Sequence, residues 1–193
     1  MKINSVPQGF SPEERACRAK EIFKKGYNCC QSVVLAFSDI IGLPEETLAK
    51  LSSGFGGGIG RMREVCGTVS GMTFLAGFIS PADDPSDHSA RTANYALVQK
   101  MAAEFKELNG SIICRELLGM APMGSSGGQT DPAPSVRTAE YYKKRPCEEL
   151  CGIAASIVAK NLLELNLHLS VPLDYLAVAT DVRPGSGAGE KIV

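Results

Sequence analysis

The chain has 193 residues, with 20 basic and 21 acidic side chains, a net charge of −1 and 44% hydrophobic residues. This balance excludes the basic footprint of a nucleic-acid binder, and no segment approaches the ~18–20 unbroken apolar residues of a membrane span. A chain of this size can bury a core without disulfide staples. With no apolar stretch behind the N-terminal charge, the cytosol is the expected compartment, where its seven cysteines stay reduced unless they work or bind metal.

The pattern is helical almost throughout. Ser11-Pro12-Glu13-Glu14 reads as an N-cap, a proline at the first helical position and an acidic first turn. It predicts a helix to about Lys25, stopped by Gly26. Asn28 can cap the next helix, in which Val33, Val34, Phe37 and Ile41 recur at helical spacing. Gly42-Leu43-Pro44 ends it, and Pro44-Glu45-Glu46 opens a short helix through Leu51.

Gly54-Phe55-Gly56-Gly57-Gly58-Ile59-Gly60 holds five glycines in seven residues, which implies positive φ or close backbone approach. It completes no G-x-G-x-x-G register and no G-K-[ST] follows, so neither dinucleotide nor P-loop phosphate binding is indicated. An apolar helix, buried on most sides, is predicted from Cys66 to about Ile79. A loop over 81–86 leads to an amphipathic helix from Ser86 to Leu108, carrying Tyr95, Val98, Met101 and Phe105 and ended by Asn109-Gly110. Cys114 falls in a short helical turn, 112–118. Residues 119–138 read as a long Gly/Pro/Ser loop, of a length that tends to be functional or disordered. The last predicted helix runs from about Pro146 to Leu165, and the Gly-rich tail is expected to fray. The fold class is therefore all-α: a single-domain helical bundle with a Gly-rich loop before a buried central helix.

Cys29, Cys66, Cys114 and Cys147 all fall at or near the first turn of a predicted helix. Unpaired amides there carry partial positive charge, which lowers a thiol pKa and favours the nucleophilic, metal-binding thiolate. Arg61 and Arg63 precede Cys66 and add to that expectation. Cys147 and Cys151 lie four apart, on one helix face. Cys30 and Cys17 read as packing residues. His88 and His168 are the only histidines, too few for a histidine-based zinc enzyme. There is no C-x-x-C-H for haem, no paired C-x-x-C and no recognisable hydrolase triad.

These motifs, Gly26-Tyr27-Asn28-Cys29 with Gln31, the 54–60 glycine run, Glu64-Val65-Cys66-Gly67-Thr68-Val69-Ser70-Gly71, Cys114-Arg115-Glu116-Leu117 and Cys147-Glu148-Glu149-Leu150, occur in the order of a known family. Over residues 13–165 the chain resembles the redox-active-type proteins labelled C_GCAxxG_C_C. Thr68 stands where that family usually has alanine, and Cys30 and Cys151 are additional cysteines. The resemblance implies a small helical protein whose working cysteines are Cys29, Cys66, Cys114 and Cys147. A related domain in split-Soret cytochromes hints at electron transfer and an iron–sulfur cluster.

Three functions follow as expectations. The first is an oxidoreductase or electron-transfer protein cycling dithiol and disulfide, with Cys66 as nucleophile and Cys29 or Cys114 resolving. The second is a metal site, iron–sulfur or Zn, with the same four cysteines as ligands. The third is a helical binding module in which the cysteines only pack. The expected partners are a redox partner and a second copy in a homodimer, with no nucleic acid and no membrane. The helical cysteine domain is expected to span 1–166, with 167–193 a partly flexible extension.

Overall fold

The computed structural model describes residues 6–120 and 131–170. In chain order the helices are α1 (Pro12–Lys24), α2 (Cys29–Leu35), α3 (Ser38–Ile41), α4 (Glu45–Ser52), α5 (Gly67–Ile79), α6 (His88–Asn109), α7 (Cys114–Leu117), α8 (Ala139–Lys144) and α9 (Cys147–Ser170). Among the described residues there is no strand, only an isolated antiparallel bridge between Val65 and Ile113. No helix among them is long and apolar enough to cross a membrane.

The caps read from sequence do form. Ser11 Oγ accepts from the Glu14 amide at 3.1 Å. Asn28 and Gln31 make a reciprocal capping box at the start of α2, each bond 3.0 Å. Gly42 and Gly110 end α3 and α6 in the left-handed region.

The helix expected from Asn28 to Ile41 is interrupted, and a long-range contact explains it. The Arg15 guanidinium donates to the Ala36 carbonyl at 2.6 Å, so Ile40 bonds back to Phe37 rather than Ala36. Arg15, only 2% exposed, also forks onto Asp39 at 2.6 and 2.7 Å and packs against the Phe10 and Phe37 rings. Residues 139–144 form α8, for which no helix is predicted. The last helix outruns its expected end and passes through Ser170, beyond residue 166; the tail 171–193 and the middle of the expected 119–138 loop lie outside the described residues.

The core is built by α2, α5, α6 and α9. Val33, Val34, Met72, Leu75, Met101, Phe105, Ala154, Val158 and Leu162 are all essentially buried. The glycine-flanked helix α5 packs on α2, α6 and α9, as expected for a central helix. Along the opposite flank, α1 lies on α9. This arrangement sets the N-terminal ends of α2, α5 and α9 against one another.

Candidate functional site

Two hydrogen bonds around the Val65–Ile113 bridge bring distant cysteines together. The Cys66 amide donates to the Ile112 carbonyl at 2.8 Å, and the Cys114 amide donates to the Glu64 carbonyl at 2.7 Å. Arg115 reinforces the pairing, donating to the Arg63 carbonyl and forming an ion pair with Glu64. Cys66 thus becomes the N-cap of α5, beside Cys114 at the first position of α7.

The glycine run makes this approach sterically feasible. Gly58 has φ +75°, and a Cβ there would stand 2.7 Å from the Cys114 Cβ and 2.7 Å from the Glu64 nitrogen. Gly67 seats the start of α5 on α2, since a Cβ at that position would lie 3.2 Å from the Cys29 Cβ. Three non-glycine residues of the same turn, Ile59, Arg61 and Arg63, also take positive φ. Such conformations each cost about 1–3 kcal/mol and persist where surrounding structure enforces them.

All four cysteines singled out from sequence enter one cluster. The Cys151 thiol donates to the Cys29 carbonyl at 3.8 Å, and the Cys29 thiol lies within interaction range of those of Cys147 and Cys151. Cys66 lies within electrostatic range of Cys114 and Cys147, and Cys114 of Cys147. The cluster also contains Cys151, additional to the four family cysteines, which the i, i+4 spacing had placed on one helix face with Cys147. Cys30 is wholly buried and lies near Cys66. Cys17 differs from the packing role expected for it, being exposed on α1.

The expected low-pKa setting is reversed, because desolvation outweighs the helix amides. Burial pushes the Cys66 thiol up to about 11, against hydrogen bonding with Thr68. Burial pushes Cys30 up to about 12. It also raises Cys114, where Arg63, with Nη1 4.0 Å from the sulfur, opposes it. Cys147 is raised by the adjacent Cys29 thiol and by burial. At Cys29 the adjacent Cys147 thiol favours the thiolate, but Cys151, burial and the neighbouring thiols hold its pKa well above the ordinary range. The resting cluster is therefore a set of neutral thiols.

A cavity of about 450 Å³ opens onto this cluster. Cys29, Cys114 and Cys147 line it, together with Gly56, Gly57 and Gly60 of the glycine run and Pro132, Pro134 and Ser135 from the end of the long loop. Cys29 is partly exposed, whereas Cys114 and Cys147 are 6% and 7% exposed. Cys66 is not part of the cavity wall. Among the described residues no group of three or more His, Cys, Asp or Glu side chains is arranged to hold a metal ion. Within the cluster Cys66 Sγ lies 3.1 Å from the Thr68 hydroxyl and Arg63 approaches Cys114 Sγ at 4.0 Å.

No curated protein and no solved structure is significantly similar to the chain. A family model described as "putative redox-active protein (C_GCAxxG_C_C)" matches residues 27–161, more than two thirds of its length, and takes in the glycine run and all the clustered cysteines. The chain belongs to the C_GCAxxG_C_C family.

Proposed function

We propose that the protein is a thiol–disulfide redox protein whose working pair is Cys29 and Cys147. The observation that carries this reading is the placing of both cysteines in the wall of one cavity, where their thiols interact. Cys29 is the more exposed of the two, so an incoming disulfide reaches it first and it attacks. Cys147, beside it, resolves.

Cys29 gives its proton to solvent and attacks one sulfur of a substrate disulfide, forming a mixed disulfide and expelling the first substrate thiolate, which takes up a proton. Cys147 then loses its proton and attacks the Cys29 sulfur, releasing the second substrate thiol. The net change converts two cysteine thiols and one disulfide into the Cys29–Cys147 disulfide and two thiols. A dithiol reductant reverses it. This scheme moves the nucleophile from Cys66, the sequence expectation, to Cys29, because Cys66 has no face on the cavity.

The test is exchange with a small disulfide by single-cysteine variants. Cys29→Ser and Cys147→Ser should each abolish net dithiol oxidation, Cys29→Ser at the first step and Cys147→Ser at a trapped mixed disulfide. Cys66→Ala and Cys17→Ser should retain it. Loss of turnover in Cys66→Ala, with both cavity variants active, would return the nucleophile to Cys66.

A further inference from the structure

The same cavity wall carries Arg61, Arg63, Arg137 and Arg145 and no carboxylate. None of the four forms an ion pair with a described acidic residue. Arg63 is 9% exposed, and its recorded side-chain contact is the 4.0 Å approach to the neutral Cys114 thiol. Arg61 donates to the Ala133 carbonyl, yet its Nε is buried without a partner. Arg137 is held by the Phe23 and Tyr27 carbonyls at 2.6 and 2.7 Å. Arg145 stacks on the Tyr141 ring at 4.9 Å.

Guanidinium groups do not lose their charge in proteins. A buried one without a counter-charge carries a desolvation penalty that a hydrogen-bonded anion relieves. Arg63 is the buried one of the four, and Arg61, Arg137 and Arg145 are partly exposed; two of the guanidinium groups come from the glycine turn and two from residues 137–145, so positive charge faces the cavity from two segments. Arginine's planar fork matches a carboxylate in bidentate fashion. The volume, about 450 Å³, lies within the ~300–1,000 Å³ common for small-molecule sites.

We propose that this cavity binds a low-molecular-weight disulfide bearing acidic groups, with its carboxylates held by the arginines and its sulfur–sulfur bond presented to Cys29. This names the substrate class of the reaction above and rests on that reading. Arg63 and Arg145 are binding residues in it, and Cys29 supplies the nucleophile.

Two measurements separate the anion site from the redox chemistry. Calorimetric titration of 3,3′-thiodipropionate, an unreactive thioether dianion, into reduced protein and into Cys29→Ser should show saturable binding to both. Arg63→Gln or Arg145→Gln should weaken it about tenfold or more, ~1.4 kcal/mol. Arg145 is less buried, so Arg145→Gln carries the test if Arg63→Gln does not fold. Exchange with 3,3′-dithiodipropionate and with cationic cystamine, each normalised to its rate with dithiothreitol, should favour the dianion, and the preference should collapse in the arginine variants. Exchange with both disulfides at equal normalised rates, with no thioether binding, would overturn the anion site and leave the redox reading standing. Thioether binding without exchange of either disulfide would overturn the redox reading, and with it the substrate assignment, while keeping the anion site.

Discussion

The Arg63 Nη1 lies 4.0 Å from the Cys114 Sγ, in a side chain almost wholly removed from water. The contact joins the glycine turn to the short helix α7 and places a permanent positive charge beside a thiol that burial otherwise keeps protonated. Replacing Arg63 with Gln removes the charge opposing that burial, so the Cys114 pKa should rise further. At a fixed pH below that pKa, each unit of rise cuts the thiolate fraction about tenfold. Rates of Cys114 alkylation against pH, read by peptide mass spectrometry, should shift to higher pH in Arg63→Gln. An unmoved profile would mean that Arg63 does not act on this thiol.

Alkaline pH should destabilise the fold through the buried thiols. Cys30 and Cys66 ionise at about 12 and about 11 in the folded state, against an ordinary value of 9.0. Because the folded pKa values are raised, their contribution is fully present below pH 9 and is lost as pH climbs from there toward 11 and 12. Between those limits each such group lowers stability by roughly 1.4 kcal/mol per pH unit. Urea midpoints at pH 7.5, 9 and 10.5 should fall over the last interval, and Cys30→Ala should flatten the decline. Equal slopes in wild type and variant would contradict the assignment to Cys30.

The Arg15–Asp39 pair predicts the opposite limb. Burial raises the Asp39 carboxyl, but the Arg15 hydrogen bonds and charge outweigh it and hold its pKa below the ordinary 3.8. That stability is present above the unfolded pKa and lost as pH falls through the lowered one. Replacing Arg15 with Met strips the Ala36 carbonyl and Asp39 of their partner; removing one member of a buried pair costs about 3–5 kcal/mol, somewhat less here because Asp39 is partly solvated. Thermal unfolding should show the loss at pH 7 and a smaller one near pH 3.

Gly58→Ala tests the turn. An added Cβ would meet the Cys114 Cβ and the Glu64 nitrogen, each at 2.7 Å, from a backbone at φ +75°. Strain of about 1–3 kcal/mol should lower the unfolding midpoint and loosen the Cys66–Cys114 pairing, seen as faster alkylation of Cys66. Gly54→Ala, with open space around its Cβ and no positive φ, is the control and should change little.

Much of this architecture is legible in local sequence. Ser11 and Asn28 announce their helices because a cap is encoded within four residues, and the glycine run announces its turn because few other residues tolerate such backbone. The four helix-start cysteines are visible for the same reason. The break at Ala36 is not, since it depends on an arginine 21 residues earlier in the chain. Nor is the reversal of the thiol pKa values, because helix-end amides are local whereas desolvation depends on what α9 and α2 bring over the sulfurs. The arginine wall was only half visible. Arg61 and Arg63 stand beside Cys66 in sequence, but Arg137 and Arg145 join them only through tertiary packing.

The most direct test of the account is a thiol count with crosslink mapping. The reduced protein carries seven free cysteines. After oxidation by a small disulfide and removal of the reagent, denaturing thiol titration should fall by two, and peptide mass spectrometry should place the new bond between Cys29 and Cys147. A count that stays at seven, or a bond that maps to Cys66 and Cys114, would contradict the proposed working pair.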